Sequence, residues 1–407
     1  TDTANRTAFD WNALTATGTA RGIDLIHHEY GINLWGYTAG SVKSALSADG
    51  KSEYDIEAVD EGGTVKRIAY NSYQFKDART AETVGGETWG GRSRVGNTTT
   101  GNEITVSSGT HTEVYGGWTR GASSQTATAD KGNSTYNKVT VDGTATVSGN
   151  VYGGMTTVAG GKASNNVVTI NEGVTLNDSR YVYGGSATSG SSVDNNKVYL
   201  NGISTPGTVY GGSTGIGTAN GNEVHLNGAT VTGAVIGGAI DGTGNLLSVK
   251  GVNSARWIAG FQEVSFDTAG VAAGETMLNL NGSAGTTLDR GAIDAKGSTV
   301  NGGITLLHNA NGITVNGLAA TDNILKSETD ATTEKNISVH KTGSNITDIR
   351  YEGYQFAGAE TASVIGTDAY GGISRAGNST HDNVITVNGA YANVYGGHTS
   401  GAGTTRD

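Results

Sequence analysis

The sequence predicts an all-β chain coiled into a parallel β-solenoid with a few hairpin or loop excursions, and three observations support this fold class. A Val-Tyr-Gly-Gly quartet, as at residues 151–154, returns every 25 to 37 residues within each run. A second pattern, Asn-x-aliphatic-x-aliphatic, precedes the quartets. Gly accounts for 66 of the 407 residues, whereas Pro occurs once and Cys is absent. A short, repeated period of this kind is typical of stacked repeat architectures.

The second pattern alternates between two sides of a strand, as a β-strand with one buried face does. At residues 137–141 (Asn-Lys-Val-Thr-Val), Asn shares the parity of the two aliphatic residues and so points to the same side. If each unit is one turn of a solenoid, the aliphatic residues stack into one core and the Asn side chains stack into a ladder of amides. The predicted structural ladder consists of Asn102, Asn137, Asn166, Asn196, Asn222, Asn245 and Asn383.

Antiparallel hairpins, as in a propeller or a sandwich, are the alternative to this arrangement. Such hairpins are usually joined by two-residue turns, whereas the connections here are longer and uneven, which favours the parallel solenoid. Gly-Asn and Asn-Gly pairs, such as Asn201-Gly202, supply corners where φ is positive. The quartet is interpreted as a further corner, with Val in the core, Tyr outside and two Gly where the backbone bends.

A period of 281 residues is superposed on the short one. Residues 73–75 (Tyr-Gln-Phe) return as residues 354–356, and residues 90–97 return with changes as residues 371–378. The predicted organisation is therefore one continuous β-solenoid over residues 1–407, with 9–126 and 290–407 as two copies of one super-repeat block and 127–289 as short-period coils between them. Residues 37–66 and 318–347 are richer in charge and break the short pattern, so they are predicted to protrude.

The aromatic residues of the quartets are the first candidate binding feature. Because neighbouring residues of a strand point to opposite sides, Val in the core would leave these rings outside, where they could stack on sugars or on another protein. The alternative is that the rings stack on one another and cover the coil. The possible surface aromatic stripe consists of Trp89, Tyr115, Tyr152, Tyr183, Tyr210, Tyr370 and Tyr395.

The loops that follow the quartets are the second candidate, because loops projecting from a regular scaffold often carry binding residues. Residues 118–122 and 398–402 occupy comparable places but differ in sequence. Trp118 is either exposed there or packed against the neighbouring turn.

Patterns for catalysis or cofactor binding do not stand out. The eight His are scattered without metal-ligand spacing, and the Gly-x-Gly runs lack a strand-to-helix context. Carboxylates do not recur on one face, as a β-helix glycosidase or lyase would require. Asp241 lies in a single turn similar to a calcium-binding repeat, but such sites need stacked copies. We therefore expect no cofactor, no metal and no enzymatic activity.

Charge and hydropathy narrow the choice of partners. The formal net charge is −11 and no basic cluster occurs, so nucleic acid and anionic lipid are poor partners. The sequence has no run of about 18 apolar residues, so it predicts no membrane-spanning helix. The sequence opens without the features of a signal peptide, and we interpret it as a piece of a longer protein.

The Val-Tyr-Gly-Gly quartets and Asn-x-Val-x-Val strands, followed by the apolar stretch at residues 257–266, resemble the passenger regions of large Gram-negative autotransporter adhesins, which are type V secreted surface proteins. The resemblance covers nearly the whole chain, although its motifs are structural. It implies a right-handed parallel β-helix (solenoid) displayed extracellularly, at the bacterial cell surface, and it implies no ligand. It does not extend to the family's export signal and membrane-anchoring region.

Three functional hypotheses follow. The first is a non-enzymatic bacterial cell-surface rod or fibre that mediates adhesion or surface interaction, with a host or bacterial surface protein or glycan as its partner. The second is a self-assembling extracellular filament, sheath or surface layer, whose partners are further copies of itself end to end, because exposed solenoid ends favour stacking. The third is a carbohydrate-active β-helix enzyme, which would need three or more ionisable side chains converging in one groove.

Overall fold

The fold is nearly all β and follows the predicted class. The computed structural model describes residues 6–18, 21–121, 127–128, 131–177, 180–190, 192–205, 207–238, 242–297 and 303–401. Within these ranges the only helical segments are two short 3₁₀ turns, Trp11–Ala13 and Arg290–Ala292. Most strands pair in parallel with a strand one coil away, so the protein is a parallel β-solenoid.

The strands have the following bounds. In the first part of the chain they are β1 (Thr7–Asp10), β2 (Ile23–His27), β3 (Ile32–Trp35), β4 (Val42–Leu46), β5 (Ser52–Asp60), β6 (Val65–Gln74), β7 (Glu82–Val84), β8 (Glu87–Ser93), β9 (Thr99–Thr100), β10 (Glu103–Val106), β11 (Thr110–His111), β12 (Glu113–Thr119), β13 (Ser134–Thr135), β14 (Lys138–Val141), β15 (Thr146–Val147), β16 (Val151–Thr156), β17 (Val167–Ile170), β18 (Thr175–Leu176) and β19 (Val182–Ala187). They continue as β20 (Lys197–Asn201), β21 (Ser204–Thr205), β22 (Val209–Thr214), β23 (Glu223–Asn227), β24 (Thr230–Ile236), β25 (Leu246–Lys250), β26 (Asn253–Ala259), β27 (Glu263–Asp267), β28 (Thr276–Leu280), β29 (Thr286–Asp289), β30 (Ile293–Lys296), β31 (Ile304–Asn309), β32 (Ile313–Asn316), β33 (Ile324–Thr329), β34 (Thr333–Thr342), β35 (Asn345–Gln355), β36 (Ser363–Ile365), β37 (Asp368–Ser374) and β38 (Asn393–Thr399).

The chain divides into two compact units whose segments alternate in its middle. Unit 1 comprises Thr1–Val168, Tyr183–Asn196 and Ser213–Thr218, and unit 2 comprises Thr169–Val182, Lys197–Gly212 and Ala219–Asp407.

Unit 1 contains parallel coils and one antiparallel excursion. Strands β8, β12 and β16 pair in parallel, so that Tyr115 lies beside both Trp89 and Tyr152. Strands β10 and β14 also pair in parallel, with Ile104 beside Val139. Strands β4, β5 and β6 instead form consecutive antiparallel hairpins, and they include most of the segment 37–66. This excursion begins where the short sequence pattern is interrupted.

Unit 2 has the same plan. Strands β20, β23, β25, β27 and β30 form one parallel set, and β24, β26, β28 and β31 form another. Within the apolar stretch 257–266, Phe266 pairs with Val249 and is 1% exposed, whereas Trp257 is 37% exposed. Strands β33, β34 and β35 form antiparallel hairpins that include much of the segment 318–347.

Inward-pointing aliphatic residues form the core, as the alternation predicts. Val139, Val168, Val198 and Val224 are each at most 1% exposed. Within unit 2, Val198 lies directly beside Val224 in a parallel pair. Burying a side chain of this size contributes roughly 1.5–3 kcal/mol, so a stack of such positions stabilises the coil against the entropy of ordering it. The predicted burial of these valines is confirmed. Among the described strands, each antiparallel pair involves an excursion strand or one of the short strands β7 and β36.

The interpretation of the quartet as a corner is wrong. Residues 151–154 lie inside β16, and neither Gly153 nor Gly154 has a positive φ. A Cβ at Gly154 would lie 2.7 Å from Oδ1 of Asn166, which is closer than real Cβ contacts allow. These glycines are therefore required because the ladder Asn packs against them. The corner lies just before each ladder Asn, where φ is positive at Gly101, Tyr136, Asn165, Asn195, Gly221, Gly244 and Asp382.

No helix in the described part of the chain is both long and apolar enough to cross a membrane.

Candidate functional site

The Asn side chains of unit 1 form a continuous amide ladder. Nδ2 of Asn102 donates to Oδ1 of Asn137 (2.7 Å), Nδ2 of Asn137 to Oδ1 of Asn166 (3.0 Å), and Nδ2 of Asn166 to Oδ1 of Asn196 (3.1 Å). All four residues are 0% exposed. Buried amides cost free energy unless they are hydrogen-bonded, and here successive coils supply the partners. The ladder holds coils together and offers no free group to a ligand.

Unit 2 repeats the arrangement with one residue that the sequence pattern misses. Nδ2 of Asn222 donates to Oδ1 of Asn245 (3.3 Å), and the backbone N–H of Asn245 donates to Oε1 of Gln262 (3.0 Å). Gln262 thus takes the place of the next ladder Asn, and the sequence pattern misses it because only Asn was counted. Asn383 donates to the Phe356 carbonyl oxygen and accepts the Ala359 N–H.

The quartet rings stack on one another, and the exposed stripe is wrong for its first members. Trp89, Tyr115 and Tyr152 are buried, at 0%, 4% and 7% exposure. Their outer side is covered because Tyr73, Trp118 and Met155 pack against them. Parallel ring stacks join Tyr115 to Tyr152 (centroids 4.9 Å apart), Tyr152 to Tyr183 (4.9 Å) and Tyr370 to Tyr395 (5.0 Å). The other members of the predicted stripe are partly buried, namely Tyr183, Tyr210, Tyr370 and Tyr395.

Arg92 completes this aromatic layer in unit 1. Its guanidinium carbon lies 4.2 Å from the ring centroid of Trp89 and 4.5 Å from that of Trp118. Trp118 is half-buried and stacks on Tyr115 at 5.2 Å, so it packs against the coil rather than projecting from it. A cation between two aromatic faces is stabilised by their quadrupoles. The layer is therefore closed by its own side chains.

Glu53 is a buried carboxylate that holds the turn after β8. It is 0% exposed and accepts hydrogen bonds from the Ser93 hydroxyl (2.7 Å), the Arg94 backbone N–H (2.6 Å) and the Asn97 amide (2.8 Å). Burial raises the pKa of Glu53, while these three donors act in the opposite direction. The carboxylate links the excursion to the coil through these three hydrogen bonds.

Glu334 plays the same part in unit 2. It is 0% exposed and accepts from the Ser374 hydroxyl (2.7 Å), the Arg375 N–H (2.7 Å) and the Asn378 amide (2.6 Å). Sequence reasoning missed both glutamates because it took the charged segments 37–66 and 318–347 to be simply exposed. The signal was present, since Glu53 and Glu334 are separated by the same 281 residues as the rest of the two blocks.

An open groove lies within unit 2, between the excursion and the last coils. It encloses about 910 Å³ and is lined by β33, by β34 and by side chains that include Tyr370, Arg375 and His398. We call it the unit 2 groove. Its charged lining consists of Arg290, Lys326, Lys341 and Arg375 against one carboxylate, Asp322, together with His340 and His398.

Glu352 anchors the cationic side of the unit 2 groove. Burial alone would raise the pKa of Glu352, but the hydrogen bond and charge of His340, the Ser338 hydroxyl and the charge of Arg375 lower it to about 2. Its carboxylate lies 3.5 Å from His340, 3.7 Å from Arg350 and 3.9 Å from Arg375. One carboxylate therefore lies within 4 Å of two guanidinium groups and an imidazole.

The remaining candidates for metal chemistry are separate from one another. Among the described residues, no three His, Cys, Asp or Glu side chains converge so as to hold an ion. His308 is paired with Asp348 at 2.7 Å. Asp241, the candidate for a calcium turn, lies outside the described residues.

Comparison of the chain with protein-family models, with curated proteins and with solved structures finds no match.

Proposed function

We propose that this chain is a non-enzymatic protein of the bacterial cell surface that mediates adhesion or surface interaction. The observation that carries the proposal is that the repeated side chains bond within the coils, whereas the open polar surface lies at an excursion. The repeated groups, namely the Asn ladder, the stacked rings and the two buried glutamates, bond to neighbouring coils. The open polar surface lies instead at an excursion, in the unit 2 groove. A scaffold with satisfied coils and a variable projecting surface suits a protein that presents binding surfaces.

The partner in this proposal is a surface protein or glycan, and the location is extracellular. Beads coated with the purified chain should adhere to epithelial or bacterial cells, whereas beads coated with the heat-unfolded chain should not. Antibodies against the chain should label intact producing cells without permeabilisation. Equal attachment of both bead types would contradict the adhesive role. Continuous filaments of the chain on native cells, seen by electron microscopy together with that result, would favour the alternative of end-to-end self-assembly.

A carbohydrate-active enzyme is the second candidate, because ionisable side chains do converge in the unit 2 groove. Its chemistry is incomplete for glycoside hydrolysis, which uses a pair of carboxylates. Asp322 is the only carboxylate that lines the groove among the described residues, and its Oδ2 lies 2.9 Å from Arg290 Nη1. Incubating the chain with acidic polysaccharides and measuring new chain ends tests this candidate, and we expect no product above the rate without protein.

A further inference from the structure

The unit 2 groove carries cationic groups that its own carboxylates do not neutralise. Arg290 is paired with Asp322 (2.9 Å), and Lys326 with Asp294 (2.5 Å). Lys341 contacts the Ala320 carbonyl oxygen at 3.4 Å and has no carboxylate within 4.0 Å in the described part of the chain. Arg375 shares Glu352 with other cations. The groove is thus locally positive on a chain whose formal net charge is −11.

Two positions that line the groove correspond to carboxylates in the first block. The hairpins of the two blocks pair in the same register, with Glu53 opposite Tyr73 and Glu334 opposite Tyr354. In that register, Ser338 replaces Glu57 and Lys341 replaces Asp60.

The substitution at position 338 changes the state of the neighbouring arginine. In the first block, Glu57 forms a tight ion pair with Arg94. In the second block, the guanidinium of Arg375 lies 3.9 Å from the carboxylate of Glu352, and the Arg375 side chain is 37% exposed against 20% for Arg94. The second block therefore presents an arginine that is more exposed and more loosely paired than its counterpart in the first block.

The edge of β33 is already occupied, so an added peptide strand is a poor occupant of the groove. The Arg290 guanidinium donates to the carbonyl oxygens of Leu325 (3.1 Å) and Ile324 (2.9 Å). Peptides that extend a sheet need such edge carbonyls for their own N–H groups. The remaining lining mixes polar side chains with the Tyr370 ring and with the apolar Val339 and Ile373, which suits a sugar bearing an anionic group.

We propose that the unit 2 groove binds an acidic saccharide, that is, a sugar carrying a carboxylate or a sulfate, with Arg375 and Lys341 pairing to the anionic group. This inference rests on the proposed function, because it names the class of partner. A carboxylated and a sulfated sugar share the anionic chemistry that the groove recognises, so the experiment includes one of each.

The test measures binding of the full chain to sialyllactose and to a heparin-derived tetrasaccharide, with lactose as the neutral control, by titration calorimetry. At least one acidic sugar should bind, and lactose should not. R375Q and K341Q should each raise the Kd about tenfold, which is the usual effect of losing one charge-assisted hydrogen bond. Raising the salt concentration should also weaken binding, since ions screen exposed charges.

Two further variants make the result specific. S338E restores the carboxylate of the first block beside Arg375 and should also weaken binding about tenfold or more. The matched control is R94Q, which removes the equivalent arginine of the first block and should leave the Kd unchanged. Circular dichroism melts verify folding, which R375Q should retain because its backbone N–H still reaches Glu334.

Three results would overturn the inference: neither acidic sugar binds, R375Q and K341Q bind as tightly as the unaltered chain, or a poly-glutamate peptide binds more tightly than both sugars. The proposed function fails separately. If neither acidic sugar binds but coated beads adhere to cells, the adhesive role stands and the acidic-sugar site falls. If soluble sugar binds but beads do not adhere, the site stands and the adhesive role falls.

Discussion

The two super-repeat blocks, 9–126 and 290–407, keep the same buried framework but differ at the positions around it. In both blocks a buried glutamate, Glu53 or Glu334, accepts from a Ser hydroxyl, an Arg N–H and an Asn amide of the coil. Around this framework, Asp55 is replaced by Asn336 and Glu57 by Ser338. Charged residues on the excursions of such a solenoid can therefore be replaced while the buried hydrogen bonds to the coil are kept.

The difference has an electrostatic cost in the first block. Asp55 is 0% exposed, and neither of its carboxylate oxygens makes a hydrogen bond, although Ser44 lies across the β4–β5 pair. Burial, and next the charge of Glu53, raise the pKa of Asp55 to about 7. In the second block, Asn336 instead donates its amide to Glu334 at 2.8 Å. The second block thus replaces a repulsion with a hydrogen bond.

The largest expected effect comes from exchanging these two residues. Between about pH 4 and pH 7 the unfolded chain has lost the Asp55 proton while the folded chain keeps it, so stability falls as the pH rises and levels off above 7. D55N removes this dependence and should stabilise the chain by about 2–4 kcal/mol at pH 8. N336D should have the opposite sign. Hydrogen exchange in β5 and β34 at pH 4 and pH 8 measures both.

The comparison at pH 4 is the control for these substitutions, because Asp55 is then protonated in the folded chain. D55N and the unaltered chain should therefore have nearly equal free energies of unfolding at pH 4. Greater stability of the unaltered chain at pH 8, or a fall in stability between pH 4 and pH 8 that is equally large in D55N, would show that Asp55 is not the group that titrates.

A smaller effect is expected from the two buried glutamates themselves. Replacing either by Gln puts an amide N–H2 against donors and leaves one of them unsatisfied, which costs about 1–3 kcal/mol. E334Q should cost more than E53Q, because E53Q also removes a charge from beside Asp55. Thermal melting, with hydrogen exchange across residues 93–97 and 374–378, compares the two variants. An equal loss in both would mean that Asp55 and Glu53 do not repel one another in the folded chain.

The periodic part of the fold could be predicted from the sequence, because a repeating pattern reports a repeating environment. Val139 and Val198 are buried where the alternation places them, and Asn137 and Asn166 meet because each copy occupies the same place in its coil. The sequence pattern indicated a corner at the quartet because Gly serves either where φ is positive or where a neighbouring side chain comes too close for a Cβ, and the pattern does not distinguish the two. Gly154 is needed for the close approach of Asn166, whereas Gly101 is needed for its positive φ.

The site could not be predicted in the same way, because it depends on contacts between segments that the short period does not relate. Glu53 contacts Ser93, which is 40 residues away in the sequence, and Trp118 stacks on Tyr115 with the Arg92 guanidinium over its ring. Alternation correctly placed the Tyr rings opposite Val. It could not tell that Tyr73, from the excursion, would cover the outer side. The short period could not predict the charge of the groove either, since that charge depends on substitutions between the two blocks, such as Asp60 to Lys341.

The smallest expected effect concerns Arg92, whose counterpart in the second block is Ile373. R92I removes the cation–π contacts with Trp89 and Trp118 but also removes a charge that is costly to bury, so its net effect should be within about 1 kcal/mol of zero. R92K keeps the charge and loses the planar group that fits between the rings, so it should be less stable than R92I. Thermal melting and tryptophan fluorescence compare them. If R92K were the more stable, charge rather than shape would hold the aromatic layer closed, and the isoleucine of the second block would be a loss rather than an equivalent solution.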